Sequence, residues 1–360
     1  MTIKAPILYD AAEMEFADMG IGVLSDAISC IVTEERNGLY ELSMTYPMNG
    51  VHCTELAVDR IILAPPNDTA QWQPFRIYSV RPSMAGTVAV DAEHISYQLN
   101  HIVVSPFVAA GGIQIVLQEF KANMSTTCPF TFWTDKTGGA TYTQILPAAA
   151  RARLAGEEGG ILDKYGGEYE WDRYAVKLHD SRGADNGVVV AYGKNLTDLQ
   201  QETNISSMLT GIYPYYYQDD ELVTLPEKVV AVSHTCSYPR IKAIDLTSEF
   251  SEKPSQDGLR EQATKYINAN KLTAPKVSMQ VAFAPLWETE EYKDIAPLEH
   301  VGLCDTVTVR FPALGVDAKS KVIRTEYDVL LGRYQSIELG DARQSLDNTI
   351  AGLIEGRTVK

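Results

Sequence analysis

The segment "NGLYELSMTYP", residues 37–47, alternates apolar and polar side chains along an extended chain. Tyr40, Leu42, Met44 and Tyr46 share one face, because successive side chains of a strand point to opposite sides. The segment therefore predicts a strand with one buried face and one exposed face.

Further strand patterns follow this segment at short intervals. "DRIILAPP" (59–66) ends at two prolines, and "FRIYSVRPSMAGTVAVDAEHI" (75–95) contains a hairpin connection at "PSMAG" (82–86). Short strands with turns this close together are typical of a small antiparallel barrel or sandwich. Residues 1–100 are predicted to form a first β-barrel domain.

Residues 101–190 mix helical and strand patterns. "GGIQIVLQEFKANM" (111–124) carries apolar side chains at helical spacing, and "GEYEWDRYAVKLHDSRGADNGVVVAYG" (167–193) has the pattern of two strands joined by a polar loop at 180–187. The apolar helix positions are Ile113, Val116, Leu117 and Phe120. This region is predicted to be a lateral α+β domain.

Strand patterns resume after residue 205, with a hairpin turn predicted at 218–221. Residues 191–240 and 300–345 are predicted to form a second barrel, and 241–299 an α+β domain inserted into it. The inserted segment contains the helical pattern "SQDGLREQATKYINANK" (255–271), with Leu259, Ala263, Tyr266 and Ile267 on one face and Ser255 or Asp257 as the N-cap. Residues 346–360 are predicted to be a helical tail.

Two parts of the chain share an order of elements. "DTVTVRFP" (305–312), followed by the hairpin pattern "KVIRTEYDVLLGRYQSIEL" (321–339), repeats the arrangement of 59–66 followed by 75–93. Each is a strand ending at proline, a gap and a long hairpin with a glycine in its turn. The interpretation is a duplicated barrel; coincidence among strand-rich segments is the alternative.

Composition limits the classes of function. The 360 residues exceed what one core usually organises, and the formal net charge of −16 repels nucleic acid and anionic membranes. Five scattered cysteines without a C-x-x-C pair indicate reduced thiols. The N-terminus shows neither a secretory signal nor a membrane span, so we expect folding in a cytoplasm and no membrane insertion.

The chain offers few candidates for chemistry. Lys194 follows a strand, but Asn195 stands where a phosphate loop requires Ser or Thr. The histidines are dispersed, with His94 and His101 nearest in sequence, and the loop 180–187 lacks the alternating ligands of a calcium site. The adjacent carboxylates, which point in opposite directions on an extended chain, are Glu34/Glu35, Glu157/Glu158, Asp219/Asp220 and Glu290/Glu291. We expect no catalytic, cofactor or metal site.

In order and spacing, four segments resemble the N-terminal structural region of prophage tail proteins, the tail endopeptidase or tail-associated lysin family. They are "NGLYELSMTYP", "AEHISYQL" (92–99), the block 167–217 that contains "YGKNLTDL" and "YPYYY", and "LCDTVTVRFPALGVDAKSKVIRTEYDVLLGRYQSIELGD" (303–341). The resemblance runs from about residue 20 to 345. Cys304 departs from it, because the family usually has glycine there, and this puts a turn conformation in question.

The resemblance implies a baseplate hub or tail-tip protein with two related β-barrels and two lateral α+β domains. Three chains would form a homotrimeric ring that adapts a sixfold tail tube to a threefold spike and lines a channel through which DNA passes without specific binding. The implied partners are a tail tube or distal tail protein above, a spike or tip protein below and a tape-measure protein. The implied location is a virion or tail-like particle assembled in the bacterial cytoplasm.

Other interpretations stay open at this point. Longer relatives carry lytic modules after the hub region; the tail 345–360 has no room for one, so we expect a non-enzymatic hub. The alternatives are a cell-wall-degrading endopeptidase and a wall-carbohydrate-binding module that uses Trp133, Trp171 and Tyr215. Contractile, flexible long-tailed and bacteriocin particles are all compatible with the sequence, and the contractile kind is mildly favoured.

Overall fold

The structure is a computed structural model and describes residues 5–155, 159–191, 196–205, 208–218, 220–232, 237–250, 252–269, 272, 276–283, 300–312 and 316–343. The predicted tail helix at 346–360 lies outside these residues. None of the described helices is long and apolar enough to cross a membrane. The chain divides into two compact units, Met1–Gln200 with Gln280–Lys360 and Gln201–Met279.

The protein is mainly β, with short helices. The strands are β1 (Ile7–Tyr9), β2 (Gly22–Val23), β3 (Ser29–Glu35), β4 (Tyr40–Pro47), β5 (Ile61–Ala64), β6 (Gln73–Pro82), β7 (Thr87–His94), β8 (Val103–Val104), β9 (Phe107–Ala109), β10 (Thr131–Thr134), β11 (Tyr142–Gln144), β12 (Ala148–Ala149), β13 (Glu168–Asp172), β14 (Ala175–His179), β15 (Val189–Ala191), β16 (Leu196–Asn204), β17 (Gly211–Gln218), β18 (Glu221–Thr224), β19 (Val230–Ala231), β20 (Ile241–Asp245), β21 (Lys276–Phe283), β22 (Thr306–Phe311), β23 (Val316–Asp328) and β24 (Arg333–Arg343). The α-helices are α1 (Ile113–Ala122), α2 (Ala150–Leu154), α3 (Ile161–Tyr165) and α4 (Gln256–Ala269). Single 3-10 segments span Cys53–Glu55, Ile95–His101 and Thr247–Glu249.

The opening segment forms strand β4 between β3 and β7, antiparallel to both. Its four apolar side chains are at most 2% exposed, whereas Ser43 on the other face is exposed. Burial of side chains this size contributes about 1.5–3 kcal/mol each. The predicted half-buried strand is confirmed. The hairpin predicted at 82–86 is also present, as the β6–β7 connection.

One large sheet contains the strands from both halves of the chain. Its order is β16-β21-β24-β23-β3-β4-β7-β6-β5-β1-β2, with β22 beside β23 and β15 beside β22. Within it, β3, β4, β7, β6 and β5 pair in that order. A second group pairs in the equivalent order: β16, β21, β24, β23 and β22. In both groups the first two strands of the sheet order come first in the chain, and the other three follow in the chain in reverse of their sheet order. The sheet therefore contains two copies of one five-strand arrangement.

The two five-strand groups also agree in backbone detail. Asp59 before β5 and Cys304 before β22 both have left-handed backbones, with φ of 74° and 72°. Each N–H donates to the carbonyl of the long strand opposite, at Ile77 (2.8 Å) and Val322 (3.0 Å). Both long strands have a register shift directly after this point, between Ile77 and Ser79 and between Val322 and Arg324. Irregularities at matching positions support duplication over coincidence.

Cys304 stands where the family usually has glycine, and the structure shows which backbone conformation it adopts. The residue keeps the left-handed conformation that glycine adopts without strain, and its side chain is fully buried. Gly183 packs against it so closely that a Cβ there would lie 2.2 Å from the Cys304 carbonyl oxygen. The turn is therefore retained with cysteine in place of glycine.

The region after β7 differs from its prediction at one turn. Residues 168–179 are two strands, β13 and β14, joined at Arg173 and Tyr174, where the sequence predicted one strand. Arg173 has φ of 51°, and its N–H donates to Oε1 of Gln73 at 2.7 Å. A turn supported by a residue about a hundred positions away leaves no local glycine or proline signal. Strand β14 pairs with β10 and β13, whereas β15 pairs with β22, so the loop 180–187 connects two different sheets.

Helix α1 confirms its prediction, since Ile113, Val116, Leu117 and Phe120 are all buried. Gly112 precedes it without a side-chain cap. The small sheets β10-β14-β13, β11-β9 and β12-β8 accompany it in the segment 95–188. Side chains of this segment join the same apolar core as β3–β7. The prediction of a separate lateral domain remains a prediction.

The smaller unit is a four-stranded sheet covered by helix α4. Strand β17 pairs with β18, β19 and β20, and the predicted turn at 218–221 joins β17 to β18. Oγ of Ser255 accepts the N–H of Gly258 at 3.1 Å, which confirms Ser255 over Asp257 as the N-cap. The core residues of this unit are Ile212, Leu225, Ile244, Leu246, Leu259, Ala263 and Ile267.

The observed pairing gives the insertion different bounds from those predicted. Strands β17–β20 lie in a sheet of their own, although the prediction assigned 191–240 to the second barrel. Strand β21 pairs in the large sheet, although 276–283 was predicted to lie in the inserted domain. Local patterns predicted these strands, but the choice of partner is a long-range property.

Candidate assembly surface

The two histidines nearest in sequence are separated in the structure. His101 is exposed, whereas His94 is fully buried, with Nε2 3.2 Å from Oε1 of Gln73 and Nδ1 2.9 Å from Oγ of Ser96. Gln Oε1 can only accept, so Nε2 of His94 carries the proton. Burial lowers the pKa of His94 well below its ordinary value, and the nearby Arg151 acts in the same direction. His94 is thus a neutral core residue.

No metal cluster appears in the described part of the chain, where no three His, Cys, Asp or Glu side chains come together suitably. The loop 180–187, which was predicted to join two strands and lacks the ligand pattern of a calcium site, is attached to β22. Ala184 donates its N–H to Oδ1 of Asp305 (2.8 Å), and its carbonyl accepts the N–H of Thr306 (2.9 Å). Asp185 accepts Nζ of Lys319 at 2.6 Å. These acidic groups therefore hold the loop in place.

Two of the three aromatic residues considered for carbohydrate binding, Trp133 and Trp171, lie on opposite faces of their sheet. Trp171 is 5% exposed and lies under the guanidinium of Arg151, 4.5 Å from its ring. Trp133 is half-exposed and lies opposite Lys177 of β14, whereas Trp171 lies opposite Val176. Because adjacent residues of a strand point to opposite faces, Trp133 and Trp171 project from opposite faces of the sheet. Tyr215 belongs to the smaller unit. Trp133 and Trp171 therefore do not form a common platform.

Other candidates are only partly described. Glu34 lies 3.6 Å from Arg182 and Glu35 lies 3.3 Å from Arg324, so the two carboxylates diverge as expected. Lys194 and Asn195 fall outside the described residues, as do Glu157, Glu158, Asp219, Glu290 and Glu291.

A partly buried ion cluster joins β13 and the loop 180–187 to the large sheet. Glu168 accepts Nζ of Lys321 at 2.6 Å and the N–H of Arg182 at 2.6 Å, and lies 3.5 Å from Arg36. Burial raises the pKa of Glu34, and the ion pair with Arg182 opposes this shift. The cluster fixes elements around β3 and β23, where the two five-strand groups meet.

The strand pairing at this junction defines the candidate assembly surface. The long strand β23 pairs with β22 through Val316–Lys321 and then, on the same edge, with β3 through Arg324–Asp328. The corresponding strand β6 pairs with β5 through Gln73–Arg76 on that edge. Among the described residues, no strand covers the continuation of this edge at 78–82, which we call the open edge of β6.

A second edge without a described partner strand lies at one end of the sheet order. Strand β16 is the terminal strand of the observed order and has only β21 as a partner among the described strands. It occupies in the second group the position that β3 occupies in the first. Among the described residues, the fold is thus a duplicated β protein in which the edges of β6 and β16 that match the internal β23–β3 junction have no partner strand. Unpaired strand edges of this kind can pair with another chain.

Comparison with known proteins finds a matching family model and similar folds. Residues 184–350, somewhat less than half of the chain, match the family model described as prophage endopeptidase tail. Together with the structural likenesses below, the match confirms the resemblance to phage tail-associated proteins drawn from the sequence. A search of curated proteins finds no match.

Three solved structures share the fold over nearly the whole chain, each with a TM-score of 0.58. Prophage tail protein gp18 from Listeria monocytogenes EGD-e is 13% identical and covers 98% of both chains. The tail protein from Neisseria meningitidis MC58 is 10% identical and covers 94% of this chain and 96% of its own. The 43 kDa tail protein of prophage MuSo2 from Shewanella oneidensis is 12% identical and covers 94% of this chain and 98% of its own. At these identities the likeness concerns the fold.

Proposed function

We propose that the chain is a structural subunit of a phage tail or tail-like particle, at the baseplate hub or tail tip. Its role would be to form a homotrimeric ring that adapts a sixfold tail tube to a threefold spike and lines the central channel. The observation that carries the proposal is the duplication: three chains with two five-strand groups each present six similar sheet segments. The fold shared with prophage tail proteins supports it.

Partner surfaces follow from this role. A tail tube or distal tail protein would meet one side of the ring and a spike or tip protein the other, with a tape-measure protein and DNA in the channel. The net charge of −16 suits a lumen that repels DNA and lets it pass. The particle would be assembled in the bacterial cytoplasm.

A structural role without enzymatic activity fits the side-chain arrangement. Two groups that were candidates in the sequence hold the fold instead: His94 lies in the core, and Asp185 of the loop 180–187 accepts a hydrogen bond from Lys319. Glu168 is likewise paired, with Lys321. We expect no peptidoglycan hydrolysis by the purified chain. Hydrolysis abolished by one carboxylate or cysteine substitution would contradict this part of the proposal.

The mass of the purified chain in solution tests the proposal. Light scattering is expected to give about 119 kDa, three times the 39.7 kDa of one chain. A dimeric mass would contradict the ring, because a twofold dimer cannot place six sheet segments around one channel. A monomeric mass at every concentration would overturn the proposed ring, because the chains would then make no contact with one another.

A further inference from the structure

We propose that the open edge of β6 receives strand β16 of a second copy of this chain, as β23 receives β3 within one chain. The inference rests on the ring proposed above and specifies its contact. It would join successive chains through one continuous sheet, with each chain giving β16 to one neighbour and taking β16 from the other.

The internal junction serves as the template. Five residue pairs join β23 to β3, from Arg324 with Glu35 to Asp328 with Ile31. The junction starts at the register shift in β23, where the carbonyl of Ile323 accepts the N–H of Arg36 at 2.8 Å. A strand of the other five-strand group can therefore continue the edge directly after β22.

The open edge of β6 begins at the same place in its own group. The N–H of Ile77 donates to the carbonyl of Arg60 at 2.8 Å, as that of Val322 donates to Asp305 at 2.9 Å. Tyr78, at the register shift, then matches Ile323. The residues that match the β3-binding part of β23 are thus Ser79 to Pro82, of which Arg81 and Pro82 are exposed.

Backbone groups of β6 are oriented for such a partner. The N–H of Ser83 donates to the carbonyl of Thr87 at 2.8 Å, so by alternation Ser79 and Arg81 bond to β7. Val80 and Pro82 then point their backbone groups away from β7. Proline lacks an N–H and is tolerated at an edge. The edge consequently offers a partner strand the backbone N–H and carbonyl of Val80 and two further carbonyls. The contact would therefore be shorter than the internal one.

The choice of β16 as the occupant follows from its place in the fold. It is the first strand of the second group, as β3 is the first strand of the first group, and no described strand pairs with its outer edge. Because the contact would join two different edges of the chain, the edge of β6 and that of β16, it is head-to-tail. Contacts of this kind close into rings when the rotation allows.

Disulfide trapping tests the contact. In an antiparallel pair, residues that do not exchange hydrogen bonds lie about 4.5 Å apart at Cα, close enough for a disulfide. Arg81 corresponds to such a position. We would combine Arg81→Cys in the full chain with Gln200→Cys, Gln201→Cys or Glu202→Cys, since the three scan the register, and oxidise each double variant. Linked oligomers are expected in at least one double variant and in none of the four single variants.

A second pair of variants tests the contact without new thiols. Val80→Pro removes the outward N–H and should lower the scattering mass about threefold while the circular dichroism spectrum is kept. Val80→Ala keeps that N–H and should retain the mass of the ring. A ring that survives Val80→Pro, and that yields no disulfide in any register, would overturn this contact but leave the proposed ring standing. Absence of a ring in the unmodified chain would overturn both.

Discussion

The left-handed backbone conformation shared by the residues before β5 and β22 can be tested through the stability of glycine and alanine variants. Asp59 has φ of 74°, its side chain is 72% exposed, and Oδ1 accepts Nη1 of Arg76 at 2.8 Å. Asp59→Gly and Asp59→Ala both lose this contact, so their difference isolates the backbone. A left-handed conformation costs a non-glycine residue about 1–2 kcal/mol. Glycine in a regular strand is about 0.5–1 kcal/mol worse than alanine.

The net expectation is that Asp59→Gly is more stable than Asp59→Ala by about 0.5–1 kcal/mol, from about 1–2 kcal/mol of strain less the ordinary cost of glycine. Cys304→Gly should likewise be more stable than Cys304→Ala. The margin should be smaller than at Asp59, because the Cβ at position 304 is buried. Ser43, on an ordinary strand, is the control and should show the opposite sign. Urea unfolding followed by tryptophan fluorescence measures each difference. Alanine equal to or better than glycine at Asp59 would refute the reasoning.

Three further predictions concern the core, a close approach and a pH-dependent pair. Leu42→Ala should cost about 2–5 kcal/mol in urea unfolding, against less than about 0.5 kcal/mol for the exposed Ser43→Ala; equal costs would contradict the orientation of β4. Gly183→Ala should destabilise strongly, because its Cβ would lie 2.2 Å from a backbone oxygen at a φ of +74°; an unchanged midpoint would contradict this packing. The hydrogen bond to Asp68 raises the pKa of His300 above 6.5, so its stabilisation is complete below that pH and is lost as pH rises through the folded-state pKa. His300→Gln should flatten this loss between pH 6 and 8, and an unchanged pH profile would exclude the pair as its cause.

Local patterns predicted the elements whose signals are local. The alternation in 40–46 gave β4 with its buried face, and the 3.6-residue spacing gave α1. Ser255 was predictable as a cap because its side chain bonds within its own turn. The likeness of 59–66 and 305–312 predicted the duplication, which the pairing and the two left-handed residues support.

Features that depend on distant partners were not predictable. The turn at Arg173 is supported by Gln73, and β21 joins β24 although its place in the chain predicted it in the inserted domain. The ion cluster around Glu168 and Glu34 gathers side chains from β3, β13, the loop 180–187 and β23. Sequence spacing carries no sign of such a group, because its members meet only after the strands have paired.

Electron microscopy of the purified chain tests the central claim most directly, namely that two five-strand groups in each of three chains build one ring. Rotational analysis of end-on particle averages is expected to show a central hole with threefold symmetry and six similar wall segments around it. Particles without a hole, or rings with a number of wall segments other than six, would contradict the account.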